Sequence, residues 1–333
     1  MRIGVAGTGR MGAFHAETLA AVPRVESLVL ADITPERAES VAAKLGVAAV
    51  PAPQDLFVSG IDGLVVATAT DAHAPLIMAA ADRGIPVFCE KPVAPDIAGT
   101  VAVVRHVERT GTIVQVGFQR RFDAGFAAAR DAVRAGRVGW VHTMRAGTLD
   151  PAPPPPEYIQ HSGGLFRDCC VHDIDAARWV TGREVTEVYA VGANRGADYF
   201  RDSGDVDTAG ALLTLDDDTL VFVSATRYNA AGHDVRLEVF GSQHTLVVGL
   251  DDRVPLTSAE PGVDWPTGPP YRSFIDRFHA AYVAELTAFT DVVAGDLDNP
   301  CPPADALETF YVAEACELSR LHHRPVRIDE VRQ

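Results

Sequence analysis

The sequence predicts an α/β plus α+β chain of two parts: a doubly wound parallel sheet over residues 1–120, then a domain over 121–333 built on an antiparallel or mixed sheet. Three observations carry this. Short, wholly apolar runs alternate with helical patterns up to about residue 120. A glycine-rich turn joins the first run to the first helical pattern. Beyond Asp123 the extended segments lengthen and alternate apolar with polar residues. Apolar strands separated by helices imply crossover connections and a sheet buried on both faces. Alternation implies a sheet with one wet face.

In the first part the strand candidates are Arg2–Ala6, Leu28–Ala31, Gly63–Ala67, Pro86–Cys89 and Ile113–Gly117. Between them Met11–Ala21, Pro35–Leu45, Ala72–Arg83 and Asp96–Arg109 carry Ala/Val/Leu at helical spacing. In the second part a helix over Phe126–Ala135 leads to Trp140–Gly147, a proline-rich loop and a helix ending near Gly182. Extended segments follow at Glu187–Asn194, Thr208–Leu215, Thr219–Tyr228, Val235–Phe240 and Thr245–Val248, with turn residues between them. Helices over Ile275–Val293 and Ala304–Leu321 complete the pattern, the C-terminal one a candidate for packing back on the first domain. The run Pro153–Pro156 reads as a stiff, polyproline-like connector.

Composition narrows the function. A formal net charge of −16 without a basic cluster excludes a nucleic-acid backbone or an anionic membrane as partner. No apolar run reaches the roughly 18 residues of a membrane helix, and MRIGVAGTGR opens on a strand rather than a signal peptide. Cys89, Cys169, Cys170, Cys301 and Cys316 are odd in number and lack C-x-x-C spacing, so neither a disulfide framework nor a structural zinc site is suggested. A reduced, cytoplasmic-type protein is expected.

Gly7-Thr8-Gly9-Arg10-Met11-Gly12 matches G-x-G-x-x-G between a strand and a helix, with Asp32 twenty residues beyond Gly12. That context predicts a dinucleotide site: the glycines permit a tight turn and close approach of a pyrophosphate, met by amides at the helix N-terminus. Asp32 would accept hydrogen bonds from ribose hydroxyls and repel a 2′-phosphate, and Ile33 supplies no compensating cation. NAD is therefore expected over NADP, with Arg37 the nearby cation that bears on the preference. Thr68, Thr70 and His73 follow the strand candidate Gly63–Ala67 and should border the cofactor, His73 being equally able to be an ordinary solvent-facing helix start. Glu90, Lys91 and Pro92 follow the next strand, which sets Lys91 on the nicotinamide side of the sheet.

In the stretch Asp150–Asp175, Gly163 and Gly164 lead into a segment holding Asp168 and His172 four residues apart. If helical, the segment puts both side chains on one face, one turn apart, where a carboxylate can orient and charge-balance an imidazole acting as base. Asp168, Cys169, Cys170, His172 and Asp173 are all metal-ligand types. Successive helical residues diverge by about 100°, however, so no more than two or three converge and no metal is expected.

With these motifs together the chain resembles the Gfo/Idh/MocA oxidoreductases essentially end to end: the nucleotide turn, Glu90-Lys91-Pro92, Gly163-Gly164 and Asp168-x-x-x-His172. Phe118-Gln119-Arg120-Arg121-Phe122-Asp123 and Asp150-Pro151 through Glu157-Tyr158-Ile159 look like inositol 2-dehydrogenases. The resemblance implies a Rossmann-type cofactor domain, a second domain with a large open sheet whose face builds dimers or tetramers, and a catalytic trio of Lys91, Asp168 and His172. By this likeness His172 takes a ring-hydroxyl proton as hydride leaves for nicotinamide, Asp168 orients His172, and Lys91 hydrogen-bonds the reacting oxygen. Gln119, Arg120, Asp150, Tyr158, Cys169 and Asp175 are candidate polyol contacts, Arg121 and Asp175 being equally readable as a structural salt link. Two departures stand out. Leu149 replaces an expected arginine, and Ala231-Gly232-His233-Asp234 replaces an expected Tyr-Gly-Tyr-Asp, leaving His233 as the polar candidate there. Alternatives are a dehydrogenase of an aldose, sugar acid or sugar-derived intermediate, and a non-catalytic NAD-binding sensor.

Overall fold

A computed structural model describes residues Met1–Arg332. The chain divides into two compact units, residues 1–119 with 280–307, and residues 120–279 with 308–333.

The first unit holds β1 (Arg2–Ala6), α1 (Arg10–Ala20), β2 (Ser27–Ala31), α2 (Pro35–Leu45), β3 (Ala48–Ala49), β4 (Gly63–Val66), α3 (His73–Ala81), β5 (Val87–Glu90), α4 (Ile97–Thr110) and β6 (Val114–Gly117). All strand pairs are parallel, in the order β3-β2-β1-β4-β5-β6. That is the doubly wound dinucleotide-binding order. The strands are buried on both faces because helices cover both, so β4 has no exposed residue in Gly63–Val66. Pro35 opens α2, and Gly46 ends it in the left-handed region at φ 68°.

The return segment completes this core. Leu286 and Phe289 are fully buried among Ile3, Val5, Leu30, Val65 and Phe88, and each such side chain is worth about 1.5–3 kcal/mol of burial. The expected division at residue 120 allows the C-terminal helix to pack back on the first domain, and residues 280–307, mostly the helix before it, are what join the first unit. Helical periodicity shows which face of Ile275–Val293 is apolar but not which core receives it.

The second unit holds α5 (Ala124–Arg134), β7 (Val141–Leu149), the single turn α6 (Pro156–Ile159), α7 (Val171–Thr181), β8 (Val185–Ala193), α8 (Tyr199–Asp202), β9 (Thr208–Leu215), β10 (Leu220–Thr226), β11 (Asp234–Gly241) and β12 (Thr245–Val248). Two long helices, α9 (Phe274–Ala294) and α10 (Pro303–His322), carry the unit boundaries, and β13 (Val326–Arg327) closes the sheet edge. The order is β12-β11-β7-β10-β9-β8-β13, antiparallel except for the parallel pair β7–β10. Along β10 every second residue is buried, Val221, Val223 and Ala225 inward and Leu220, Phe222 and Ser224 outward. The inward face packs beneath α5 and α7, while Phe222, Tyr189, Val191 and Val247 leave an apolar outer face exposed.

Candidate active site

In the first unit the nucleotide turn is shaped by backbone approach. A Cβ on Gly7, which has φ 89°, would lie 2.5 Å from the Ala67 carbonyl oxygen, and one on Gly12 would lie 1.9 Å from that of Gly7. Gly9, the N-cap of α1, has nothing within 4 Å of such an atom, and no side chain caps the helix. The α1 amides therefore open onto free space that a pyrophosphate can fill, which is the fit this fold requires. Asp32 is buried at the end of β2. It accepts from the Thr8 amide (2.7 Å), the Thr8 hydroxyl (3.0 Å) and the Thr34 amide (2.9 Å). Burial alone would push its pKa up, but these bonds and the charge of Arg37 hold the carboxyl below its ordinary value. It thus remains an anionic acceptor. Ile33 beside it is 89% exposed, and Arg10 and Arg37 are also exposed, with Met11 half-buried.

His73 is buried rather than turned to solvent. Its Nδ1 lies 2.7 Å from the Pro92 carbonyl and its Nε2 3.1 Å from that of Thr68. The ring thereby ties the Thr68–Thr70 loop to the turn that carries Lys91. Behind Lys91, Glu90 meets His15 of α1, Oε1 to Nε2 at 2.6 Å, and the Lys91–Pro92 peptide is cis. Gln119 is buried at the end of this unit.

In the second unit Gly163 (φ 80°) and Gly164 (φ 96°) turn the chain through a region that side chains avoid. Asp205 Oδ1 caps the emerging helix by accepting the Leu165 amide at 2.9 Å. Phe166–Cys170 is then a π-turn, and α7 follows directly. Asp168 therefore sits in a widened turn directly ahead of the α-helix that carries the half-buried His172. One extra residue in a turn leaves the apolar pattern nearly unchanged, so periodicity does not reveal it. Such turns recur at functional sites.

The 3₁₀ turn Gln119–Phe122 fixes α7 from behind. Arg120 donates to Asp173 (2.6 Å) and to Thr148 (2.6 Å), whose hydroxyl donates to Asp173 (2.7 Å). Arg121 binds Asp175 through two bonds, at 3.0 and 2.6 Å. All four charged side chains are at most 4% exposed. Arg120 and Asp175, offered as polyol contacts, are thus committed internally and set the rotation of α7 instead. Arg121 and Asp175 are joined in the salt link that is the alternative reading for them.

The candidates Asp150, Tyr158, Asp168, Cys169 and His233 do converge, around a residue absent from the expectation. Arg227, 3% exposed just beyond β10, donates to Asp168 (2.6 Å) and Asp150 (2.9 Å) and lies 2.8 Å from the Cys169 sulfur. Tyr158 donates its hydroxyl to Asp168 (2.9 Å), and His233 Nδ1 lies 3.3 Å from Asp150. Desolvation of the hydroxyl and the Asp168 charge push the Tyr158 pKa up, which keeps it a donor. Burial works against the Asp150 charge, but His233 and Arg227 outweigh it and hold that carboxyl low. Among the described residues no group of three or more His, Cys, Asp or Glu side chains is arranged to hold a metal ion.

Comparison with known proteins completes the assignment. Residues 1–118 match the family model described as an oxidoreductase family with an NAD-binding Rossmann fold, and residues 126–247 match the GFO/IDH/MocA C-terminal domain. The chain belongs to the Gfo/Idh/MocA oxidoreductases. It is therefore an NAD-dependent oxidoreductase of the family's two-domain fold. Among its relatives is the myo-inositol dehydrogenase Hyg17 of Streptomyces leeuwenhoekii, 40% identical over 96% of this chain and 98% of that one. The myo-inositol 2-dehydrogenase of Thermotoga maritima is 34% identical over 99% of both. A structure of scyllo-inositol dehydrogenase from Lactobacillus casei with bound NAD(H) and scyllo-inositol superposes with a TM-score of 0.90, at 28% identity over 99% of both chains. No helix among the described residues is long and apolar enough to cross a membrane.

Proposed function

We propose that this protein oxidises one ring hydroxyl of an inositol, or of a cyclic polyol closely like it, with NAD. The observation that carries the reading is the pair of acceptors Asp150 and Asp168, held by Arg227 and Tyr158 at the turn that leads into the His172 helix, in a chain whose relatives include inositol dehydrogenases. Ring hydroxyls need acceptors, and two fixed carboxylates supply them. Arg227, the guanidinium of the cluster, is already committed to those carboxylates, so a sugar acid would meet like charges there. This favours a neutral polyol over the sugar-acid alternative.

Bound NAD would supply the hydride acceptor. His172 takes the hydroxyl proton, Asp168 orients the imidazole, and Lys91 donates a hydrogen bond to the reacting oxygen as negative charge develops on it. Asp32 would hold the adenosine ribose, and the α1 N-terminus would hold the pyrophosphate. We further propose assembly of copies through the outer sheet face, supported by exposed Phe222 (46%) and Val191 (48%), and a reducing, cytoplasmic setting, supported by an odd number of cysteines without C-x-x-C spacing.

The test supplies NAD and a panel of inositol stereoisomers, glucose, xylose and their acids, and reads NADH formation. Turnover with an inositol is expected, falling by about 100-fold or more in Lys91→Ala and in His172→Ala while NADH binding persists. NADH binding without turnover on any polyol or aldose would establish the sensor alternative instead. Near-normal turnover in either variant removes that residue from the catalytic assignment.

A further inference from the structure

We propose that Arg227 is a positioning residue of this dehydrogenase, a buried clamp that holds Asp168 and Asp150 as a fixed pair of acceptors beside His172. The inference rests on the roles given above to Asp168 and His172.

Arg227 reaches the cluster from a rigid base. Its amide donates to the Asp207 carbonyl (2.8 Å), the Asp150 amide donates to the Thr226 carbonyl (2.9 Å), and the Asn229 amide donates to the Asp150 carbonyl (2.7 Å). The parallel strands β7 and β10 are thus laced together where they deliver Asp150 and Arg227. From there the planar fork serves two carboxylates at once, one nitrogen on Asp168 Oδ2 and the other on Asp150 Oδ2. The second oxygen of Asp168 receives the Tyr158 hydroxyl, and that of Asp150 faces His233. Every carboxylate oxygen of the pair therefore has a set direction. A lysine in the same place offers a point charge on a flexible stem and cannot present two diverging donors in one plane.

The charge matters as much as the geometry. Two carboxylates sharing one buried site repel, and without a cation one of them holds a proton more tightly. The titratable groups around Arg227 and Asp168 are Asp150 just after β7, Tyr158 from α6, Cys169 from the π-turn and His233 ahead of β11, with Cys170, Asp205 and Tyr199 also within electrostatic reach of Arg227. Arg227 is the permanent cation among them.

The experiment uses the full chain as wild type, Arg227→Lys, Arg227→Gln and the double variant Arg227→Gln/Asp168→Asn. Turnover of myo-inositol and scyllo-inositol with NAD is followed across pH, and thermal unfolding is followed in parallel. Both single variants should lose about 100-fold or more in kcat while KM for NAD stays within about threefold. In Arg227→Gln the acid limb of the kcat profile should move up by about one pH unit or more, because removing a cation raises the pKa of the carboxylate beside it. Arg227→Gln should unfold at least about 5 °C lower than wild type, and removing the stranded carboxylate in the double variant should recover at least about half of that loss. Wild-type kcat and pH profile in Arg227→Lys, or a double variant no more stable than Arg227→Gln, would overturn the clamp. If the wild type oxidises no polyol, the function above is what fails, and the unfolding comparison decides the clamp by itself.

Discussion

Replacing Arg120 with methionine separates a supporting residue from a substrate contact. The Arg120 side chain is 3% exposed, Asp173 is fully buried, and two bonds of 2.6 Å run from the guanidinium to Asp173 and Thr148. Methionine preserves much of the volume and removes both bonds, leaving Asp173 with the Thr148 hydroxyl as its remaining side-chain donor. Breaking one partner out of a buried pair costs about 3–5 kcal/mol. That is roughly a hundred- to several-thousand-fold in the folded-to-unfolded ratio, or about 6–20 °C in midpoint for a unit of this size. The loss should also depend on pH. Burial already raises the Asp173 pKa in the fold against the opposing pull of Arg120, and without Arg120 it rises further. A carboxyl with a folded pKa above its unfolded value of about 3.9 binds protons more tightly in the fold, so stability falls as pH climbs between the two values. The penalty for Arg120→Met should therefore be largest near pH 8 and shrink toward pH 5. Calorimetry or circular dichroism melts across that range measure it. An unchanged midpoint with a raised polyol KM would show that Arg120 touches substrate and that the reasoning is wrong.

Gly12→Ala places a methyl 1.9 Å from the Gly7 carbonyl oxygen, so the turn must shift. NADH affinity by fluorescence titration should fall at least about tenfold, and wild-type affinity would contradict the close approach described for this turn. Asp32→Ser removes the charged ribose acceptor and should raise KM for NAD by about 10- to 100-fold while improving the relative use of NADP. A wild type already preferring NADP would defeat this argument. Phe222→Lys puts a charge on the exposed sheet face and should lower the mass seen by light scattering without altering the far-ultraviolet spectrum. A wild-type chain that is monomeric at every concentration tested would remove that face as an interface.

Local chemistry made much of this legible. Arg2–Ala6, Pro35–Leu45, Thr208–Leu215 and Thr245–Val248 run between the residues that periodicity and turn signals mark, because each is bounded by glycine, proline or acidic turn residues. What escaped depends on distant partners. Arg227 looks like a surface cation at a strand end. Its burial is set by Asp150 and Asp168, 77 and 59 residues away in sequence. His73 likewise reads equally as a cofactor neighbour or a solvent-facing helix start until the Pro92 carbonyl, 19 residues on, is known to meet its ring. Alternation correctly marks β10 as half-exposed, but nothing local says that its neighbour β7 runs parallel within a largely antiparallel sheet. Strand pairing is a property of two segments, and a single run of side chains carries only half of it.

The interrupted path of the first unit has a consequence for how the protein is made. Domains generally form in order as they leave the ribosome, yet Phe88, Leu30 and Val65 acquire Leu286 and Phe289 as neighbours only late in translation. Until then the nascent NAD-binding sheet exposes apolar surface that its own helices do not cover. The segment from residue 120 to 279 can meanwhile be released and begin its own sheet, although it still lacks the 308–333 part of its unit. The part of the enzyme that is synthesised first is therefore among the last to be finished, and a fragment cut at residue 120 should be poorly soluble for the same reason.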